Sequence, residues 1–150
     1  MRDNECNQMY MDIAERISKM SYGRRGKVAA VIVKDGSNIV SFGYNGTPAG
    51  FDNNLEDEVV DKLTGEIKLV TKPEVIHSEI NAICKAAKQG ISTNGASIYV
   101  TLSPCYDCAK AIIQAGIKRV FYREIYRNTA PLEMLEKAGV ECINLPKIKD

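Results

Sequence analysis

The chain has 150 residues, of which 45% are hydrophobic and 26% are charged. This composition predicts one compact domain over residues 1–150 rather than two domains or a disordered chain. The 20 Lys and Arg residues nearly balance the 19 Asp and Glu residues, which excludes the broad basic field that proteins use to bind a nucleic acid polymer. The charged, amphipathic N-terminus lacks the apolar run of a signal peptide or membrane span, so we expect a cytoplasmic protein with no membrane contact.

The first half of the chain predicts a helix followed by a β-hairpin. Residues 4–20 form the helix, with a buried stripe of Met9, Ile13, Ile17 and Met20 at helical spacing. KVAAVIV at 27–33 and NIVSFGY at 38–44 are β-rich runs joined by an Asp-Gly turn, the pattern of an antiparallel hairpin. Residues 52–74 are polar and predict an excursion from the core with a small exposed hairpin of its own.

The second half of the chain alternates helices and strands. Helices are predicted at about 77–89, after Ser103 and at 130–138, and strands at 97–101, 119–122 and 140–145. Ser103 and Pro104 have the chemistry of an N-cap and a first helical residue. Helices between strands imply crossovers and parallel pairing. The predicted fold class is therefore α/β, a three-layer α/β/α arrangement with a mixed five-stranded sheet.

Two segments carry candidate metal ligands, IHSEINAI at 76–83 and TLSPCYDCAK at 101–110. Cys105 and Cys108 are three residues apart in the first turn of a predicted helix, so both sulfurs face one side and the helix N-terminus favours their thiolates. His77 is the only histidine in the chain. These three ligands leave one tetrahedral position open, as in a catalytic zinc site. We predict one Zn²⁺ ion there.

Glu79 lies two residues after His77, at the start of the same predicted helix. Zinc lowers the pKa of a bound water to about 7, and Glu79 is placed to move that water's proton without coordinating the metal. The H-x-E and P-C-x-x-C pair matches the signature of zinc nucleobase deaminases. A lone C-x-x-C also fits a redox motif or a structural zinc site, but redox chemistry needs neither the histidine nor the glutamate, and a structural site has no use for an unliganded acid.

Three further cysteines lie outside this set. Cys84 falls on the apolar face of its predicted helix and Cys142 within a predicted strand, which favours buried packing for both. Cys6 has no assigned role. Disulfides are not expected in a reducing compartment.

Over nearly its whole length the chain resembles the phage-type deoxycytidylate (dCMP) deaminases of the cytidine deaminase superfamily. The resemblance is carried by KVAAVIV, GYNGTPAG, IHSEINAI, TLSPCYDCAK and AIIQAGIKRVFY, and it fails only over about 52–74. It implies a cytidine deaminase-like fold and hydrolysis of dCMP to dUMP and ammonia. It also implies that His77, Cys105 and Cys108 bind zinc and that Glu79 is the proton shuttle.

The resemblance further implies how the substrate is held. Asn45 of GYNG contacts the deoxyribose, and the Ser78 and Glu79 amides and the Ser103 carbonyl contact the pyrimidine edge. Ser78 replaces the usual alanine of H-A-E, a harmless change for a main-chain role. Ala29 stands where a glycine is common, and we expect it to tighten the floor of the nucleotide pocket.

Members of this family are commonly homo-oligomers that dCTP activates and dTTP inhibits. The resemblance therefore implies a hexamer or trimer of dimers, and a Mg²⁺ ion accompanying a triphosphate effector. The dUMP product would feed thymidylate synthesis, in the host cytoplasm if the protein is phage-encoded. The sequence itself shows no regulation.

Basic and aromatic residues near these segments are candidates to bind the phosphate and the base. Arg24, Arg25 and Lys27 form a compact basic cluster that suits a phosphate, although a solvated basic turn has the same pattern. Tyr122 and Tyr126 are candidates to stack on the base, although an aromatic residue near a strand end is as often part of the core.

Two alternatives stay open. The same chemistry fits a deaminase that also accepts dCTP, or one that acts on free cytidine, because one sequence does not determine how many phosphates the pocket accepts. A non-catalytic zinc-binding or nucleotide-binding regulatory module would keep the fold, but the intact Glu79 argues against it.

Overall fold

The computed structural model describes residues 2–148. The helices are α1 (Arg2–Ser18), α2 (Ser78–Lys88), α3 (Tyr106–Gln114) and α4 (Ala130–Lys137). The strands are β1 (Ala29–Lys34), β2 (Asn38–Tyr44), β3 (Glu56–Val60), β4 (Ile67–Thr71), β5 (Ser97–Leu102), β6 (Arg119–Glu124) and β7 (Glu141–Asn144). Among the described helices, none is both long enough and apolar enough to cross a membrane.

The main sheet has five strands in the order β2-β1-β5-β6-β7. Strand β1 pairs antiparallel with β2 and with β5, whereas β5, β6 and β7 are parallel. The mixed five-stranded sheet and its antiparallel N-terminal hairpin are therefore confirmed. Strands β3 and β4 form a separate antiparallel pair, so the excursion contains the hairpin that its sequence predicts.

Helices cover both faces of the main sheet. On one face, α2, α3 and α4 enclose a core that includes Ile32, Ile98, Ile112 and Leu135. On the other face, α1 packs over Val31, Val33, Tyr99 and Phe121. Successive strand residues alternate between the two cores because side chains alternate across a strand. The three-layer arrangement is confirmed.

Three local predictions are wrong. The buried residues of α1 are Tyr10, Met11 and Ala14. Of the predicted stripe, Ile13 and Ile17 do pack against the core, but Met9 is 47% exposed, and Met20, which lies beyond the end of α1 at Ser18, is 54% exposed. Cys84 is exposed rather than packed in the core. Helix α3 begins at Tyr106 with Cys105 as its N-cap, so Ser103 is not the cap.

Strand β2 and helix α2 approach each other closely beside the segment that carries His77. A Cβ atom on Gly43 would lie 2.6 Å from both the Ser78 oxygen and the Ala82 nitrogen. The Ser41 hydroxyl donates to the Ala82 oxygen at 2.7 Å, and the Asn81 amide donates to the Tyr44 oxygen at 2.8 Å. The first turn of α2 is therefore held against β2 by backbone contact and by hydrogen bonds.

We expect Gly43→Ala to destabilise the protein by about 1–3 kcal/mol, because the added methyl group meets backbone atoms that cannot rotate away. The measurement is urea unfolding. Gly46→Ala is the matched control, since the nearest atom to its added Cβ is 4.0 Å away. Equal stability of the two variants would contradict the close packing of β2 on α2.

Candidate metal centre and adjoining cavity

Two helix N-termini bring the three predicted metal ligands together. His77 is the N-cap of α2, Cys105 is the N-cap of α3, and Cys108 lies in the first turn of α3. Residue Gly46 forms an isolated antiparallel bridge with Ile76, which fixes the chain just before His77. The polar ends of both helices therefore face one point.

The separations of the ligand atoms fit a zinc ion. His77 Nδ1 lies 3.5 Å from the Cys105 sulfur and 3.3 Å from the Cys108 sulfur, and the three ligand atoms lie within 4.8 Å of one another. Tetrahedral zinc with bonds of about 2.1 Å to nitrogen and about 2.3 Å to sulfur places such atoms about 3.6 Å apart. These residues could therefore hold the predicted ion with one position free.

The thiols of Cys105 and Cys108 have pKa values shifted in opposite directions. The hydrogen bond from Cys108, followed by that from His77, lowers the pKa of Cys105 to about 4. The same contact between the thiols, reinforced by burial, raises the pKa of Cys108. Contact with Cys105 also raises the pKa of His77. A thiolate is therefore present at neutral pH to attract a cation, and metal binding has to displace the second proton.

Glu79 is buried next to this set, with 4% of its surface exposed. Burial raises the pKa of its carboxyl group, and the hydrogen bond that the Ser78 hydroxyl donates to Glu79 Oε1 at 2.6 Å opposes that shift. Enzymes that use a carboxyl group as a general acid and base commonly raise its pKa by burial in this way. These are the properties of a general acid and base.

A cavity of about 220 Å³ adjoins the metal ligands. Most of the predicted site residues line it: Arg25, Asn45, His77, Ser78, Glu79, Ser103, Cys105 and Tyr126. The sequence motifs at 76–83 and 101–110 are thus brought to one place by the fold, although they are far apart along the chain.

Asn45 and Ser103 help to shape this cavity through their side chains. Asn45 Oδ1 accepts a hydrogen bond from the Val28 amide at 2.9 Å, and its Nδ2 donates to the Gly26 oxygen at 3.0 Å. The Ser103 hydroxyl accepts from the Tyr126 amide at 2.7 Å. Both residues therefore fix neighbouring backbone in addition to lining the cavity.

Three predicted substrate-binding residues do not line the cavity. The Arg24 guanidinium is engaged by Glu58, by Asn54 and by the Glu56 oxygen. Tyr122 packs against the core under α3 and α4, since strand alternation places it on that face. Lys27 is exposed between two residues that do line the cavity. These three residues are therefore not assigned to the substrate site.

The structure adds lining residues that the sequence did not single out. Three of them are at the base of the β3–β4 hairpin: Leu55, Glu56 and Thr71. Val28 lines the cavity, where Ala29 was expected to do so. Ala29 is fully buried instead. No local pattern marks Glu56, because its partners Arg24 and Arg25 are 32 and 31 residues away in sequence.

Residues 4–124 match the cytidine and deoxycytidylate deaminase zinc-binding region family. The deoxycytidylate deaminase of Enterobacteria phage T2 is 39% identical over 172 residues, covering 92% of this chain and 91% of that protein. The deoxycytidylate deaminase of Homo sapiens is 39% identical over 143 residues, covering 91% and 77%.

A similar crystal structure is that of the dCMP deaminase from the cyanophage S-TIM5 in complex with dCMP and dUMP. It is 41% identical, with a TM-score of 0.80, and the match covers 94% of this chain and 97% of that one.

The α/β/α fold and the paired His-Cys-Cys and glutamate residues define the class of zinc-site deaminases. The chain belongs to the cytidine and deoxycytidylate deaminase family and is an enzyme of that family. The resemblance to the phage-type deoxycytidylate deaminases is confirmed.

We expect Cys105→Ser to lose most of its zinc, because a serine hydroxyl stays protonated and is a poor zinc ligand. The measurement is metal analysis of the purified protein. Cys84→Ser is the control, since Cys84 is an exposed cysteine outside the metal centre. A Cys105→Ser variant with the zinc content of the wild type would contradict this ligand set.

Proposed function

We propose that this enzyme hydrolyses dCMP to dUMP and ammonia, with Glu79 as the proton shuttle. The observation that carries the proposal is the buried Glu79 next to the His77, Cys105 and Cys108 ligands, in a cavity that also contains Arg25. The named relatives and the dCMP and dUMP complex of the cyanophage enzyme support the same substrate.

The chain's own residues account for the proton movements. Bound zinc would supply Lewis-acid activation of a water molecule. Glu79 would take a proton from the attacking water, deliver one to the ring nitrogen of the cytosine and help the amine leave as ammonia. One water is consumed for each amine released. Glu79 is suited to both directions of transfer because burial raises its pKa.

The remaining lining residues hold the nucleotide. The pyrimidine edge is bound by the backbone amides of Ser78 and Glu79 and by the Ser103 carbonyl. Asn45 contacts the deoxyribose, and Tyr126 packs against the pyrimidine ring. Arg25 binds the phosphate as a charge-assisted donor. Its guanidinium already reaches the cavity wall, where it donates to the Thr71 hydroxyl at 3.0 Å.

The proposal includes the wider setting that the family resemblance implies. The enzyme would act as a homo-oligomer in the cytoplasm and supply dUMP for thymidylate synthesis. Activation by dCTP with Mg²⁺ and inhibition by dTTP stay predictions, and an assay with and without each nucleotide tests them.

Replacement of Glu79 by Gln should reduce turnover of dCMP by roughly 10²-fold to 10⁴-fold while zinc stays bound, because the amide cannot transfer the protons. Ammonia release and metal content are measured together. Glu74→Gln, an exposed acid shortly before His77, is the control. Full activity of Glu79→Gln would refute the mechanism, and an inactive wild type with every cytosine nucleotide would favour the regulatory module.

We expect Arg25→Ala to raise the KM for dCMP by about 10-fold to 100-fold with little change in kcat, because one charge-assisted contact to the phosphate is lost. Lys27→Ala should behave as the wild type, since Lys27 does not line the cavity. Steady-state kinetics with dCMP and deoxycytidine make the comparison. An unchanged KM for dCMP would remove Arg25 from the phosphate site.

A further inference from the structure

The base of the β3–β4 hairpin forms part of the cavity wall through two paired residues. Glu56 is the first residue of β3, Thr71 is the last residue of β4, and the two face each other across the strands. Both line the cavity. The hairpin is anchored there by Leu55, which is 2% exposed and accepts a hydrogen bond from the Lys72 amide at 2.8 Å.

Glu56 is a buried acid whose carboxylate binds backbone. It is 3% exposed, and its Oε2 accepts hydrogen bonds from the amides of Arg24 and Arg25, both at 2.9 Å. Two successive amides directed at one anion form a concave binding site. The carboxylate therefore fixes the backbone of the turn that carries both arginines.

The other carboxylate oxygen of Glu56 accounts for the different positions of the two arginines. Oε1 has no hydrogen-bond partner among residues 2–148, but it forms an ion pair with Arg24 Nε at 3.6 Å. A buried charge requires such compensation. Arg24 thus neutralises Glu56 and is held outside the cavity, which leaves Arg25 as the arginine of this turn that lines it.

The backbone amide and the guanidinium of Arg25 are both hydrogen-bonded to residues at the base of the hairpin. Glu56 binds its backbone amide, and the Thr71 hydroxyl accepts from its guanidinium at 3.0 Å. A long, flexible arginine side chain loses rotamer entropy when it binds an anion, and holding it beforehand reduces that cost.

We propose that Glu56 is a positioning residue that, with Thr71, holds Arg25 in place to recognise the nucleotide phosphate. Through these two residues, the β3–β4 hairpin supports the arginine that recognises the phosphate. The inference rests on the proposed function, because it assumes a nucleotide in the cavity. Glu56 itself does not touch the phosphate, since two anions at contact distance repel each other.

The test compares binding of dUMP and deoxyuridine, which differ only in the phosphate and are not deaminated. Dissociation constants are measured by calorimetry on the zinc-loaded protein. Glu56→Ala should weaken dUMP binding by about 10-fold to 100-fold, the range of one charge-assisted hydrogen bond, and leave deoxyuridine within about twofold. Glu56→Gln should recover part of the loss, because its amide oxygen still accepts from both backbone amides.

Two further variants separate positioning from a general structural role. Glu58→Gln makes the same chemical change as Glu56→Gln in the same strand, but the Glu58 side chain is exposed and pairs with Arg24 rather than Arg25. The preference of this variant for dUMP over deoxyuridine should therefore match that of the wild type. Glu56→Ala placed in an Arg25→Ala background should have no further effect on dUMP binding, because Glu56 acts through Arg25. If Glu56→Ala does not fold, Thr71→Val, an exposed isosteric change, should still reduce dUMP binding selectively.

The inference would be overturned if Glu56→Ala weakened the binding of dUMP and deoxyuridine equally or left the preference for dUMP unchanged. It would also be overturned if the effects of Glu56→Ala and Arg25→Ala on dUMP binding were additive. A wild type that binds dUMP and deoxyuridine equally would overturn it too. The proposed function fails separately, if the wild type releases no ammonia from dCMP.

Discussion

The site depends on the meeting of two helix N-termini. Helix α2 begins after His77 and helix α3 after Cys105, so the partial positive charges of both helix ends face the thiols and Glu79. That field offsets part of the repulsion between the negative charges that gather at the site. The position of α2 is set in turn by its backbone contact with Gly43. A glycine in an edge strand is therefore coupled to the geometry of the metal centre.

Two acids are buried in this fold, and the contacts that compensate for their burial differ. Glu79 receives one side-chain hydrogen bond, from Ser78, and its pKa is raised. It therefore keeps the capacity to exchange a proton. Glu56 accepts hydrogen bonds from two backbone amides and forms an ion pair with Arg24, which hold its carboxylate in place. The same residue type, buried to a similar degree, is thus proposed to transfer protons in one place and to position an arginine in the other.

Arg24 and Arg25 show how neighbouring residues of identical chemistry are separated by the fold. Nothing in the local sequence distinguishes them, and both were candidates for the phosphate. The β3–β4 hairpin engages Arg24 with Glu56, Glu58 and Asn54, while Arg25 lines the cavity against Thr71. The segment 52–74 therefore contributes to the wall of the cavity rather than being only a surface addition.

The sequence by itself determined the mixed sheet and singled out the three candidate metal ligands and Glu79, because hydrophobic periodicity and the H-x-E and P-C-x-x-C spacings are local patterns that span only a few residues. It did not determine that Tyr126 rather than Tyr122 lines the cavity, that Cys84 is exposed, or that Glu56 holds the arginine turn. Those outcomes depend on which face of an element meets a distant segment. Such contacts, between residues 31 to 46 positions apart for Arg25, exist only once the sheet and hairpin have assembled, so tertiary structure alone decided them.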